Sequence, residues 1–220
     1  QLLVMLHGFI SDSTTYDSHI EQLSQHVNVL TIDLPGHGKD TSDMNDTWDF
    51  PYIAHALDEV LSQYDMYDVY LLGYSMGGRV ALYYALNGSV ALRGLLLEST
   101  SAGIQSEADK VERVQVDAAR AKVLEIAGLE IFVNDWEKLP LFRSQYELDA
   151  EVRKAIRANR MSQNPVRLAK ALRDYGTGNM PNLWPHVSSL SVRTLILTGE
   201  KDEKFVQIGQ KLKEEIPNSH

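Results

Sequence analysis

Five short runs of Val, Ile and Leu, each bounded by Gly, Pro, Asp or Asn, leave this chain few folds to choose from. They are Leu2 to Leu6, Val27 to Asp33, Val69 to Leu72, Leu92 to Glu98 and Val192 to Thr198. Runs of that length with no polar alternation read as strands buried on both faces, as in a parallel sheet. Helical periodicity fills the gaps between the first four, in Ser18 to Gln25, Tyr52 to Tyr64 and Gly77 to Leu86. In the second of these, Ile53, Leu57, Val60 and Leu61 share one face. Strand and helix alternating in this way predict an α/β fold: a mostly parallel, doubly wound sheet with helices on both faces. Ligands of such sheets lie at the carboxyl ends of the strands.

The alternation stops between Ser101 and Met180, where charged helical segments follow one another without a strand. We expect residues 1–100 and 181–220 to form the α/β core and residues 101–180 a helical cap inserted into it. The insertion carries 13 Lys and Arg against 12 Asp and Glu, leaving 8 against 18 elsewhere. Eight of the eleven arginines fall within it. An arginine-rich cap over an acidic base is one reading of that bias; solvated helix faces with ordinary i,i+4 pairs are the other.

A formal net charge of -9 argues against a protein that holds nucleic acid or an anionic membrane by bulk charge. A small-molecule partner is expected instead, with no nucleic acid and no membrane insertion; oligomeric state is left open. With no cysteine there is no disulfide framework, thiolate metal site or cysteine nucleophile, and a cytoplasmic protein is compatible with that. Both ends read as cuts within the fold. Residue 1 opens directly into a strand, and His220 stands where the next strand of such a sheet should begin.

Gly73-Tyr74-Ser75-Met76-Gly77 matches G-x-S-x-G in its diagnostic context, with a strand before it and a helix after it. Small residues at both ends let the strand turn sharply into the helix, which leaves Ser75 strained with its hydroxyl exposed as a nucleophile. Such a group needs donors where negative charge develops, and the backbone N–H of Met76 at the start of the helix is one. The second is expected from Phe9, in the turn His7-Gly8-Phe9, which resembles the His-Gly oxyanion loop of α/β hydrolases. His7 itself reads as a buried brace of that loop.

Asp202, in the loop directly after Val192 to Thr198, stands where the acid of a Ser-His-Asp triad belongs in chain order, with Glu200 as its competitor. Only His220 follows it, at a strand position, so the triad histidine is expected beyond residue 220. His37, in Pro35-Gly36-His37-Gly38, reads as part of a structural turn. The remaining histidines lack metal-ligand spacing, and neither a P-loop nor a G-x-G-x-x-G after a strand is present, so no metal and no cofactor is expected. Arg79 is informative because it lies one turn after Ser75 on the same helical face. There the helix dipole disfavours a cation by a few tenths to about 1 kcal/mol. A guanidinium at that place makes sense if the substrate carries a carboxylate. The alternative is an arginine pairing outward with a surface acid.

From Gly73 to Arg79 the sequence resembles the 2-succinyl-6-hydroxy-2,4-cyclohexadiene-1-carboxylate synthases of menaquinone biosynthesis, which have the α/β-hydrolase fold. The resemblance continues through Glu112 to Asp117, Asp135 to Phe142, Arg157 to Asn164 and Gly199 to Phe205, and so spans nearly the whole chain. It implies a lyase that eliminates pyruvate from 2-succinyl-5-enolpyruvyl-6-hydroxy-3-cyclohexene-1-carboxylate, a polycarboxylate. It also implies that Ser75 and Asp202 belong to the triad, that Arg79, Arg113 and Arg160 bind substrate carboxylates, and that Tyr74 and Trp136 line the pocket. A hydrolase of a small carboxylated ester or carbon-carbon bond would use the same elbow. A non-catalytic binding protein that kept the pocket is a third reading, against which the intact elbow and acid argue.

Overall fold

The computed structural model describes residues 1–220. Five parallel strands, β1 (Leu2–Leu6), β2 (Asn28–Ile32), β3 (Val69–Tyr74), β4 (Leu92–Glu98) and β5 (Arg193–Leu197), form one sheet in the order β2-β1-β3-β4-β5. All five expected strands are present, with bounds shifted by at most two residues. The chain reverses its direction of travel across the sheet between β1 and β3, so the loops leaving these neighbours diverge and open a crevice at their carboxyl ends. Residues 218–220 run alongside β5, with Thr194 N–H donating to Asn218 O and Ile196 N–H donating to His220 O, both at 2.9 Å.

Alternation along β1 divides the core. Leu2, Val4 and Leu6 face α2 (Phe50–Leu61), α3 (Met76–Asn87) and α8 (Glu203–Glu215) in one large apolar cluster. Met5 and its neighbour Leu72 face the opposite way, toward Tyr16 and α1 (Asp17–Leu23). Helices thus cover both faces. Asp49 caps α2 by accepting the N–H of Tyr52, and Pro51 sits in the first turn, where its missing N–H costs nothing.

Between β4 and β5 lie α4 (Glu107–Ile126), α5 (Leu129–Trp136), α6 (Ala150–Met161) and α7 (Pro165–Tyr175), with short 3-10 turns but no strand. Of these, α4, α5 and α7 share a small core of Ala121, Leu124, Phe132, Val133, Leu168, Ala169 and Leu172, which also takes in Ile10 from the loop after β1. None of the helices is long and apolar enough to cross a membrane.

Two buried histidines fasten the loops that frame the crevice. His7 donates from Nδ1 to Gly8 O at 2.7 Å and accepts the Leu34 N–H on Nε2 at 2.9 Å, tying the loop after β1 to the loop after β2. His37, with its ring 5.0 Å from that of His7, donates from Nδ1 to Pro35 O and leaves Nε2 without a partner. Burial lowers the pKa of His7, and burial together with neighbouring His7 lowers that of His37 to about 3. An unfolded histidine takes up a proton below its ordinary value of 6.5. The folded state refuses that proton, so the stability conferred is complete above pH 6.5 and is lost as pH falls. Urea unfolding between pH 6.5 and 5 should therefore show a stability that declines by up to about 1.4 kcal/mol per pH unit for each histidine. His37→Gln should flatten that slope; an unchanged slope would mean that His37 is not the titrating group.

Candidate active site

Ser75 stands between β3 and α3 at φ 52° and ψ -110°, a conformation that non-glycine residues rarely adopt. Neighbouring strands hold it there. Its N–H donates to Glu98 O at 2.8 Å, and its carbonyl accepts from Thr100 Oγ1 at 2.7 Å. Two glycines are obligatory for steric reasons. A Cβ on Gly73 would lie 2.2 Å from Gly77 O, and one on Gly77 would lie 2.2 Å from Leu6 O. The same closeness brings the loop after β1 against the elbow, because a Cβ on Gly8 would approach Tyr74 to 2.9 Å and Ser75 Cβ to 3.8 Å. The N–H groups of Phe9 and Met76 have no acceptor within the protein, and both residues line the cavity with Ser75. Two free donors beside a strained serine can stabilise an oxyanion or an enolate.

The cavity, about 1370 Å³, lies between the strand ends and the helical insertion. Of the side chains expected from the sequence, it brings together Ser75, Tyr74, Arg79, Arg113, Trp136 and Arg160. Tyr74 is half-buried, and burial, reinforced by Glu98, pushes its hydroxyl pKa up, which keeps it a proton donor near neutrality. Arg79 makes no ion pair, so the outward-pairing alternative does not hold. Its Nε is buried without an acceptor, and burial followed by repulsion from Arg113 lowers its pKa to about 10. Arg113 donates from Nε to Asp117 at 3.1 Å. Trp136 stacks on Phe132 with ring centroids 5.6 Å apart, meets Phe9 edge-on, and has a buried Nε1 that bonds to nothing. Arg160 differs from the other arginines: it is 7% exposed, donates to Glu137 and Gln145, and lies over the ring of Phe142.

Asp202 does not line the cavity. It caps α8, accepting the Phe205 N–H at 3.2 Å, in the loop that leaves the carboxyl end of β5. Glu200 is fully on the surface. None of the seven histidines hydrogen-bonds to Ser75. His220 lies beside β5, three strand positions away from β3, or about 14 Å across the sheet at ~4.8 Å per strand.

Among the cavity residues that the sequence reading did not assign to the site are Asp117 and Arg120. They follow Arg113 at i+4 and i+7 on α4, so all three share one helical face, and that spacing was a usable signal. Asp117 is 3% exposed and accepts on one oxygen from Arg113, with Arg120 Nη1 3.8 Å from the same atom; its other oxygen has no partner.

Residues 3–219 match the model of the alpha/beta hydrolase family. A putative 2-succinyl-6-hydroxy-2,4-cyclohexadiene-1-carboxylate synthase of Bacillus subtilis (strain 168) is 34% identical over 220 residues, covering 100% of this chain and 80% of the relative. The synthase of Salmonella agona (strain SL483) is 34% identical over 210 residues, covering 96% and 81%. A solved structure described as MenH from S. aureus superposes with a TM-score of 0.99 at 60% identity, over 100% of this chain and 83% of that one. With a family model that spans nearly every residue and relatives matched along most of their length, this chain belongs to the 2-succinyl-6-hydroxy-2,4-cyclohexadiene-1-carboxylate synthase family of α/β hydrolases.

Proposed function

We propose that the protein is a carbon-oxygen lyase that eliminates pyruvate from 2-succinyl-5-enolpyruvyl-6-hydroxy-3-cyclohexene-1-carboxylate in menaquinone biosynthesis. The observation that carries the reading is Arg79. A half-buried guanidinium with no protein anion, one turn from Ser75 and on the same cavity wall, suits a substrate with carboxylates and gains nothing from a neutral ester.

The names of substrate and product dictate the electron flow. A 3-ene becomes a 2,4-diene, so the C2–H bond next to the succinyl ketone breaks and its electrons form the C2=C3 bond. The old double bond moves to C4=C5, and the C5–O bond breaks with its electron pair going to oxygen. The enolpyruvate released takes up a proton on carbon to become pyruvate. In this proposal Ser75 is the proton acceptor. It passes the proton to a triad histidine oriented by Asp202. The N–H groups of Phe9 and Met76 hold the enolate oxygen; losing one such donor typically costs about 2.7 to 4 kcal/mol of barrier. No acyl-enzyme forms, and the triad acts as a base.

Arg79, Arg113 and Arg160 serve as carboxylate ligands in this reading, Tyr74 and Trp136 shape the pocket, and the helical insertion acts as its cap. No metal or cofactor enters the reaction. The proposal includes a cytoplasmic location, since a substrate with several carboxylates does not leave the compartment where it is made.

Pyruvate release by the full-length protein, followed in a coupled assay, tests this. Wild type should release pyruvate and Ser75→Ala should not. Arg79→Ala should lower kcat/KM by about thirtyfold or more while keeping the wild-type unfolding midpoint, because it removes a half-buried partner of a substrate charge. Folded wild-type protein that releases no pyruvate but turns over carboxylated esters would favour the hydrolase. Unchanged kinetics in Arg79→Ala would remove the ground for the carboxylate reading.

A further inference from the structure

The cavity wall built by α3 and α4 carries more positive charge than the protein neutralises. Arg79, Arg113 and Arg120 all line it, and the one carboxylate among them is Asp117. Arg113 and Arg120 both approach the same Asp117 oxygen, at 3.1 and 3.8 Å, and Arg79 has no anionic partner. Two guanidinium charges on this wall are therefore left without a protein anion, on side chains that stay partly open to solvent, Arg113 at 32% and Arg120 at 28% exposure. Arg120 is additionally fixed from below, with its Cζ 5.3 Å from the centre of the Trp136 ring. That contact and the Asp117 pair hold a planar fork toward the cavity with most of its N–H groups unused.

Arg160 is held differently. Glu137 takes its Nη1 at 3.2 Å and Gln145 its Nη2 at 3.1 Å, so part of its fork is already occupied. Glu137 also takes Arg157 at 2.7 Å, which makes this trio a brace between α5 and α6. On the wall built by α3 and α4, Arg79, Arg113 and Arg120 thus keep guanidinium N–H groups free for a ligand, while Lys204 and Lys211 line the cavity from α8.

We propose that Arg120 is a carboxylate-binding residue of this protein, acting with Arg79 and Arg113, and that Asp117 positions Arg113 and Arg120 through a single shared oxygen. The ligand is a small polycarboxylate, and the proposal deepens the lyase reading on which it rests. Arg120 touches the substrate's outer carboxylate and orients it; it takes no part in proton transfer.

Two readouts on the full-length protein separate this inference from the lyase reading. One is calorimetric binding of 2-succinylbenzoate, a stable aromatic dicarboxylate with the same succinyl arm; the other is steady-state pyruvate release. Arg120→Gln should weaken binding and raise KM by about tenfold or more, the loss expected for a charge-assisted hydrogen bond, with kcat changed by less. Arg120→Lys keeps the charge without the fork and should recover part of the loss. Lys122→Gln, on the exposed side of α4, should match wild type in both readouts. If Arg120→Gln is poorly folded, Arg120→Lys alone decides, since wild-type affinity in it would show that the fork is not used. Wild-type affinity and KM in folded Arg120→Gln would overturn the proposal. Absent pyruvate release by wild type would defeat the lyase reading, while the calorimetric comparison would still decide the role of Arg120.

Discussion

The site exists because α3 begins in direct contact with the end of β1. Gly77 lies against the carbonyls of Leu6 and His7 so closely that no side chain fits between them. That contact lets the chain turn out of β3 with Ser75 in its strained conformation, and it places the loop after β1 beside the serine. Phe9 and Met76, whose N–H groups have no acceptor within the protein, then line one cavity with Ser75. The same loop continues into Phe9 and Ile10, which pack on the apolar core shared by α4, α5 and α7. The loop after β1, Ser75 and the insertion are thus coupled through a few residues. His7 secures the arrangement with two buried hydrogen bonds.

Arginine does two kinds of work in the insertion. Arg157 and Arg160 share Glu137, Arg167 meets Asp40 across the core boundary at 2.7 Å, and Arg173 pairs with Glu125. These pairs join one helix to another or to the sheet domain. Arg113 and Arg120 share one carboxylate, and Arg79 has none, so these three leave a net positive wall. Charge composition alone does not distinguish the two groups, since what separates them is which acid lies opposite.

Much of the fold was legible in the sequence because its signals are local. Five apolar runs became five strands, and the elbow's glycines announced the turn they permit. Arg79 was recognisable for a similar reason, being four residues from Ser75 on a helix whose start was evident. Arg160 was harder to read, because Glu137 and Gln145 lie 23 and 15 residues away and only packing of α5 against α6 reveals that its fork is engaged. Arg120 was passed over although its spacing from Arg113 marked it. Its significance depends on the Trp136 ring beneath it and on Asp117 being shared, both tertiary facts. Asp202 was identified from chain order, and in the structure its carboxylate caps α8 outside the cavity lining.

The central claim is that a hydrolase's serine here removes a proton from carbon and forms no acyl-enzyme. It is tested most directly with substrate carrying deuterium at the carbon between the ring double bond and the succinyl ketone. If Ser75 breaks that bond during turnover, the deuterated substrate should release pyruvate more slowly than the protonated one, and mass spectrometry during turnover should find Ser75 unmodified. Equal rates for the two substrates, together with a covalent adduct on Ser75, would contradict the account.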